Sequence, residues 1–210
     1  MKKTLTEHDA EYWNNYYSKK VAPTGPSSFA VYVAEQLDDP TALIDLGCGN
    51  GRDSVYFCDR GHTVFCLDPS VEAIKNAREI TGDRAIPINA DGSKLSATTP
   101  WVDVIYSRFS LHSMDEDSYK KTLVFIKNSL KKGGSLWIEV RSTKDELYQE
   151  GEQVDKRTYK TDHGRRFFTL DSLVSDLDKL NFKINMAKES RGWAVFEGED
   201  PVVIRVHCTK

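Results

Sequence analysis

The run Ile44-Asp45-Leu46-Gly47-Cys48-Gly49-Asn50-Gly51 limits what this chain can fold into more than any other feature. Ala42 to Leu46 has the composition of a buried strand. The glycines let the backbone turn tightly beneath a ligand, and Arg52 to Arg60 reads as a helix that stops at Gly61. Strand, glycine turn and helix in that order begin a nucleoside-binding crossover. A dinucleotide fold asks for G-x-G-x-x-G, whose third glycine lets the helix pack closely beside a pyrophosphate. Here the glycines fall at 47, 49 and 51 and Arg52 follows, so the diphosphate reading loses its third glycine. The next strand, His62 to Leu67, delivers Asp68, whose carboxylate can accept hydrogen bonds from both ribose hydroxyls. The pattern describes an adenosine with an amino-acid tail.

Strand and helix alternate through the first two-thirds of the chain. Strands read at Ala85 to Asn89, Val102 to Tyr106 and Ser135 to Val140. Ser27 caps a helix to about Leu37, and Ser70 caps Val71 to Ile80, which stops at Gly82. Asp115 or Asp117 opens a helix that Lys131-Lys132-Gly133 closes. This alternation predicts an α/β fold, a parallel sheet with helices on both faces and a ligand at the carboxyl ends of the strands. The last third differs: Thr169 caps Leu170 to Leu180, strands follow near Phe182 to Ala187 and Val202 to Cys208, and Ser142 to Phe168 is the longest irregular stretch.

With 210 residues the chain is read as one domain, 1–210: N-terminal helices over 1–40, a cofactor-binding core over 41–140, and an acceptor-side segment with the final strands over 141–210. Cys48, Cys58, Cys66 and Cys208 form no C-x-x-C pair and have no zinc spacing, so they read as small core or pocket residues, and no metal is expected. The acidic N-terminus with Glu7, Asp9 and Glu11 is no signal peptide. No stretch approaches the roughly 20 apolar residues of a membrane span, which predicts a cytoplasmic protein. A net charge of −3 argues against a general nucleic-acid surface.

The ordered elements between Thr41 and Val140 resemble the class I S-adenosylmethionine-dependent methyltransferases. Asp45 to Gly51 matches the first motif, Asp68 the ribose acid, Asn89-Ala90-Asp91-Gly92 the adenine loop, and Val102 to Ser107 the fourth strand. The resemblance implies a Rossmann-like, doubly wound seven-stranded sheet of order 3-2-1-4-5-7-6 with the last strand antiparallel. It implies S-adenosylmethionine as cofactor, leaving as S-adenosylhomocysteine. The cofactor set is then Asp45, Gly47, Gly49, Gly51, Arg52, Asp68, Pro69, Ala90, Asp91, Gly92 and Ser107, with Asp91 at the adenine amino group and the Ser107 carbonyl at the methionine ammonium. His8 to Lys20 carries Tyr12, Trp13, Tyr16 and Tyr17 at helical spacing. These rings either pack on the domain or, as in small-molecule members, form a lid that brings Tyr16 to the cofactor.

The loop Ser107-Arg108-Phe109-Ser110-Leu111-His112 is where such enzymes meet the acceptor. His112 is the preferred base, since imidazole titrates near neutrality; the alternative is that it only packs the loop. Phe109 is expected to wall the methyl pocket. Arg141, His163, Arg165 and Arg166 suit a small anionic acceptor, because guanidinium grips carboxylate or phosphate with paired hydrogen bonds. Interleaved Asp145, Glu146, Asp155 and Asp162 offer the alternative of a mutually paired surface. Glu139-Val140-Arg141-Ser142, His163-Gly164-Arg165-Arg166-Phe167, Asp200-Pro201 and Ile204-Arg205-Val206 resemble the tails of methyltransferases from bacterial surface-polysaccharide clusters. That implies a sugar hydroxyl or a phosphate-type group as acceptor, with O-methylation expected; separately, the chain is expected to be a monomer or homodimer. Competing readings are a protein or RNA methyltransferase, a non-catalytic cofactor-binding module, and a dehydrogenase, which Arg52 in place of the third glycine disfavours.

Overall fold

A computed structural model of the chain describes residues 5–19 and 21–210; the side chains at 5–8 and 10 lie outside the described set, as does Lys20, the expected end of the first helix. In chain order the elements are α1 (Leu5–Ser18), α2 (Ser28–Ala34), β1 (Ala42–Leu46), α3 (Arg52–Cys58), β2 (Thr63–Asp68), α4 (Val71–Thr81), β3 (Ala85–Asn89) and β4 (Val102–Arg108). There follow α5 (Glu116–Ser129), β5 (Leu130–Arg141), β6 (Glu152–Gln153), β7 (Thr158–Lys160), β8 (Gly164–Arg166), α6 (Leu170–Lys179), β9 (Lys183–Ser190) and β10 (Val203–Thr209).

Seven strands form one sheet in the order β3-β2-β1-β4-β5-β10-β9. The first five run parallel, and β10 lies antiparallel between β5 and β9. Counting only this sheet's strands, the order is the 3-2-1-4-5-7-6 that the family resemblance implies. Successive residues of β1 point to opposite faces and join separate cores. Leu43 packs with Phe29, Phe57 and Ala77 from α2, α3 and α4. Ile44 packs with Tyr119, Leu123 and Leu173 from α5 and α6. Burying each such side chain contributes roughly 1.5–3 kcal/mol.

Caps set the helix starts. Ser27, Ser70, Asp115 and Thr169 each accept a backbone N–H from the first turn, and Thr169 closes a reciprocal box with Ser172. Asp115, rather than Asp117, is the cap of α5. The other end of α5 departs from expectation. Helix geometry stops at Ser129, and Leu130 already pairs with Val102, so Lys131-Lys132-Gly133 belongs to β5 rather than to a helix end. Long-range pairing wins there: Lys131 Nζ meets Asp103 at 2.8 Å, and Gly133, at φ 80°, donates its N–H to the Lys210 carbonyl.

The stretch 142–168, expected to be irregular, holds a small antiparallel sheet of β6, β7 and β8. No helix among the described residues is long and apolar enough to cross a membrane.

Candidate active site

Along the carboxyl ends of the central strands runs a cavity of about 300 Å³. Its floor is the turn after β1. Gly47 and Cys48 both donate their N–H to the Leu67 carbonyl (2.7 and 3.0 Å), which ties the turn to β2. Gly49 donates to Asp68 Oδ2 at 3.0 Å. Gly47, Gly49 and Gly51 all have positive φ. A Cβ at 47 would collide with Ser110, and one at 49 with the Tyr17 hydroxyl, so the loop takes glycine for space as well as for conformation.

Asp68 is only 8 % exposed. Its other oxygen accepts the Ser70 N–H at 2.8 Å. Burial pushes its carboxyl up to about 6, against the downward pull of the two amides. Asp45, beneath the turn, accepts the Ser54 hydroxyl at 2.6 Å, and burial with neighbouring Asp53 holds it well above the usual carboxylate range. Asp91 caps a single turn by accepting both N–H and Oγ–H of Ser93. Pro69, Ala90 and Gly92 complete this end of the cavity, and Arg52 and Tyr16 also line it.

Helix α1 lies across the opening. Asn14 Oδ1 accepts the Ser70 hydroxyl at 2.8 Å, and Asn76 Nδ2 donates to the Tyr17 carbonyl at 2.8 Å, anchoring the helix to α4. On the other flank, Tyr12 donates to Asp162 at 2.8 Å and Gly164 N–H donates to Asp9 at 3.1 Å, anchoring it to the β7–β8 turn. Asp9, Trp13, Tyr16 and Tyr17 thereby face the cavity. Of the two readings of this aromatic segment, the geometry matches a cover over the cavity.

The far end is built from β4, β5 and the β9–β10 connection. Phe109 lines it at φ 54°, a left-handed conformation uncommon for a bulky residue, with its N–H on the Glu139 carbonyl at 2.9 Å. The Arg108 guanidinium sits 4.4 Å from that ring and Arg141 5.7 Å, while His112 stacks at 4.8 Å. Arg108 and Arg141 line the cavity together with Phe196 and Glu199. Beneath them Glu139, fully buried, lies between Arg108 Nε (2.9 Å) and Arg205 Nε (2.7 Å).

A family model described as a methyltransferase domain matches residues 17–186. The chain belongs to that family. Among curated relatives, an uncharacterized methyltransferase of Geobacillus sp. (strain WCH70) is 23 % identical over 146 residues, covering 67 % of this chain and 68 % of the relative. Among solved structures, a SAM-dependent methyltransferase from Methanosarcina mazei superposes with TM-score 0.75 at 19 % identity, covering 85 % of this chain and 96 % of the other. The Burkholderia thailandensis 1,6-didemethyltoxoflavin-N1-methyltransferase, solved with 1,6-didemethyltoxoflavin and S-adenosylhomocysteine, gives TM-score 0.73 at 19 % identity over 100 % and 92 % of the two chains.

The residues singled out in this methyltransferase's sequence divide sharply. Asp45, Gly47, Gly49, Arg52, Asp68, Pro69, Ala90, Asp91, Gly92, Tyr16 and Arg141 line the cavity. Gly51 instead caps α3 and packs on Ala77 of α4. Ser107 is buried on β4, outside the cavity lining. His112 is buried behind Phe109, its imidazole held well below its ordinary range by burial and by Arg141. His163 lies between Tyr12 and Trp13, at 4.5 and 4.8 Å, and burial lowers it to about 4. Arg165 pairs with Asp162 at 2.8 Å. Arg166 is fully buried, paired with Glu116 of α5 and with Asp155. Of the five residues expected at the acceptor, then, only Arg141 lines the cavity. His163, Arg165 and Arg166 instead contact the cover and the small sheet, and His112 backs Phe109.

This revises one expected result. Replacing Arg166 by Met should leave acceptor binding intact and lower stability by about 1–2 kcal/mol, because Glu116 and Asp155 lose a buried partner but are themselves part-exposed to water. A raised acceptor KM with an unchanged midpoint would return Arg166 to the site.

Several lining residues carried no readable signal. Asp53 looks like a routine first-turn acid, yet it accepts the N–H and Oγ–H of Ser27 (2.7 and 2.8 Å) and the Tyr106 hydroxyl (2.8 Å). Asn50 ties the glycine turn to the Pro23 carbonyl at 2.8 Å. Glu199 sits in an ordinary turn sequence, and only the fold brings it to Arg141.

Proposed function

We propose that this methyltransferase takes its methyl group from S-adenosylmethionine and delivers it to an ionised oxygen of a small anionic acceptor. The observation that carries the reading is the cavity's polarity. One end offers a glycine cradle and Asp68; the other offers Arg108 and Arg141, with no histidine among the described lining residues.

The cradle fits the cofactor. Any Cβ at 47 or 49 would fill it, Asp68 is buried with both oxygens already oriented by backbone amides, and Ala90, Asp91 and Gly92 line the same cavity. Asp68 would hold the ribose hydroxyls and Asp91 the adenine amino group. When bound, the cofactor would supply an activated methyl on a sulfonium; its transfer would form a C–O bond to the acceptor, leave the S–C electron pair on a thioether sulfur, and lower the acceptor's negative charge by one.

The chain's own part is alignment and exclusion of water. Aromatic side chains of α1 and Phe109 surround the reacting volume, and the fixed guanidiniums orient an anion. Correct placement of reactants accounts for up to several kcal/mol of such barriers. A reaction that annihilates a cation and an anion also gains from a site that replaces water. An ionised oxygen needs no base, which agrees with His112 and His163 lying off the lining. The phosphate-type acceptors of surface-polysaccharide assembly fall within this class.

Calorimetric titration tests the cofactor half. S-adenosylhomocysteine should bind and NAD should not. Binding of NAD with no response to S-adenosylhomocysteine would overturn the assignment.

A further inference from the structure

We infer that the acceptor carries a carboxylate and that Glu199 occupies that carboxylate's seat until the acceptor arrives. The inference rests on the methyltransferase reading above and concerns only the far end of the cavity.

Arg141 is held by two carboxylates of opposite character. Asp145 is 3 % exposed at its side chain and meets Arg141 Nη1 at 3.0 Å. Its oxygens also accept the backbone N–H groups of Leu147 (3.1 Å) and Val202 (3.0 Å), so it is a fixed part of the framework. Glu199 meets Nη2 at 2.9 Å, but its side chain is 66 % exposed. It stands at the end of a tight hairpin whose central residues, Glu197 and Gly198, have φ of 47° and 87°, with Phe196 and Glu199 bonded to each other. The hairpin's base is pinned separately: Arg191 donates to the Asp200 carbonyl, and Gly192 N–H donates to the Asp200 carboxylate. The tip can therefore move without unseating β9 or β10.

An ion pair with one partner this exposed is weak, so an incoming anion displaces Glu199 at little cost. Nη1 stays on Asp145 throughout, and only Nη2 changes partner. That exchange selects the ligand's charge. A carboxylate replaces a carboxylate and leaves the local charge unchanged, whereas a phosphate dianion adds a negative charge beside Asp145. The flanking lining, Phe109, Phe196 and Trp13, suits an apolar body attached to that carboxylate.

Benzoate carries both features and serves as the probe, with benzamide as its uncharged counterpart and phenyl phosphate as the dianion. On protein saturated with S-adenosylhomocysteine, E199Q should bind benzoate about 3–5-fold more tightly than the unsubstituted chain, since the resident competitor loses its charge. Benzamide should bind both proteins equally, and R141K should weaken benzoate at least tenfold. Equal benzoate affinity in E199Q and the unsubstituted chain would overturn the inference, as would tighter binding of phenyl phosphate than of benzoate to the unsubstituted chain. Affinity for S-adenosylhomocysteine, measured on the same samples, reports separately on the cofactor. If none binds, that reading fails, while the benzoate comparison on the free protein still decides the role of Glu199.

Discussion

Replacing Arg205 by Met is expected to lower the thermal midpoint by about 6–20 °C, the equivalent of about 3–5 kcal/mol in a chain of this size. Arg205 is not on the cavity lining, and the effect comes from Glu139. That carboxylate is fully buried at the end of β5, and burial holds its pKa above the ordinary range even against the pull of Arg108 and Arg205. Removing Arg205 leaves one guanidinium to offset the same desolvation. It also removes Arg205's donation to the Trp193 carbonyl (3.0 Å) and its packing on the Phe29 ring (4.8 Å). The sign with pH follows from linkage. A buried acid with a raised pKa binds its proton more readily when folded, so the penalty is absent below the unfolded carboxyl's range and grows as pH rises through the folded value. The deficit of R205M should therefore narrow in acid and be widest at neutral pH and above. The double variant R205M/E139Q should recover part of it, because no uncompensated charge then remains. A loss independent of pH, with no recovery in the double variant, would reduce Arg205 to a packing residue.

The triad matters for function because of what it supports. Arg108 stacks on Phe109, and Phe109 holds its left-handed backbone by donating to the carbonyl of Glu139. The Phe109 end of the cavity therefore stands on an ion-paired base that also reaches β10 through Arg205. The fold explains why residues at 108, 139 and 205 act together: β4, β5 and β10 are adjacent in the sheet, and Arg108, Glu139 and Arg205 lie side by side in register.

The cofactor half was legible because its signals are local. A strand, three glycines, a helix start and an acid ending the next strand fall within 27 residues, Ala42 to Asp68, and each constrains its neighbours. The acceptor half was not, since its geometry is set by contacts distant in sequence. Arg165 and Arg166 read as a pair, but alternation along β8 sends one to Asp162 and buries the other against α5. Histidine as a residue type suggested a base at His163, but its place between two rings of α1, where burial lowers it to about 4, could not be read from spacing. Strands of two and three residues, as in β6 to β8, are too short to show a period. Glu199 reaches Arg141 across a separation of 58 positions.

Asp68 is the residue whose loss should cost most in cofactor binding. Replacing it by Ala should weaken S-adenosylhomocysteine by about 1.5–3 kcal/mol, or roughly 10–150-fold, the scale of hydrogen bonds to a charged group. The Gly49 and Ser70 amides also lose their acceptor, so the free protein should melt earlier; affinity must be read by direct titration, not from the thermal shift. The stronger test uses pH. With its carboxyl pushed up to about 6 by burial, Asp68 is ionised at neutral pH and, on the proposed reading, would accept the ribose hydroxyl hydrogens; below that range a proton would occupy one of its oxygens. The dissociation constant should be level above about pH 7 and rise as pH falls through 6, approaching tenfold per unit in acid. In D68N this dependence should vanish, leaving weak binding at every pH. A flat profile in the unsubstituted protein, or an unchanged profile in D68N, would place the ribose elsewhere, and with it the orientation of the whole ligand along the strand ends.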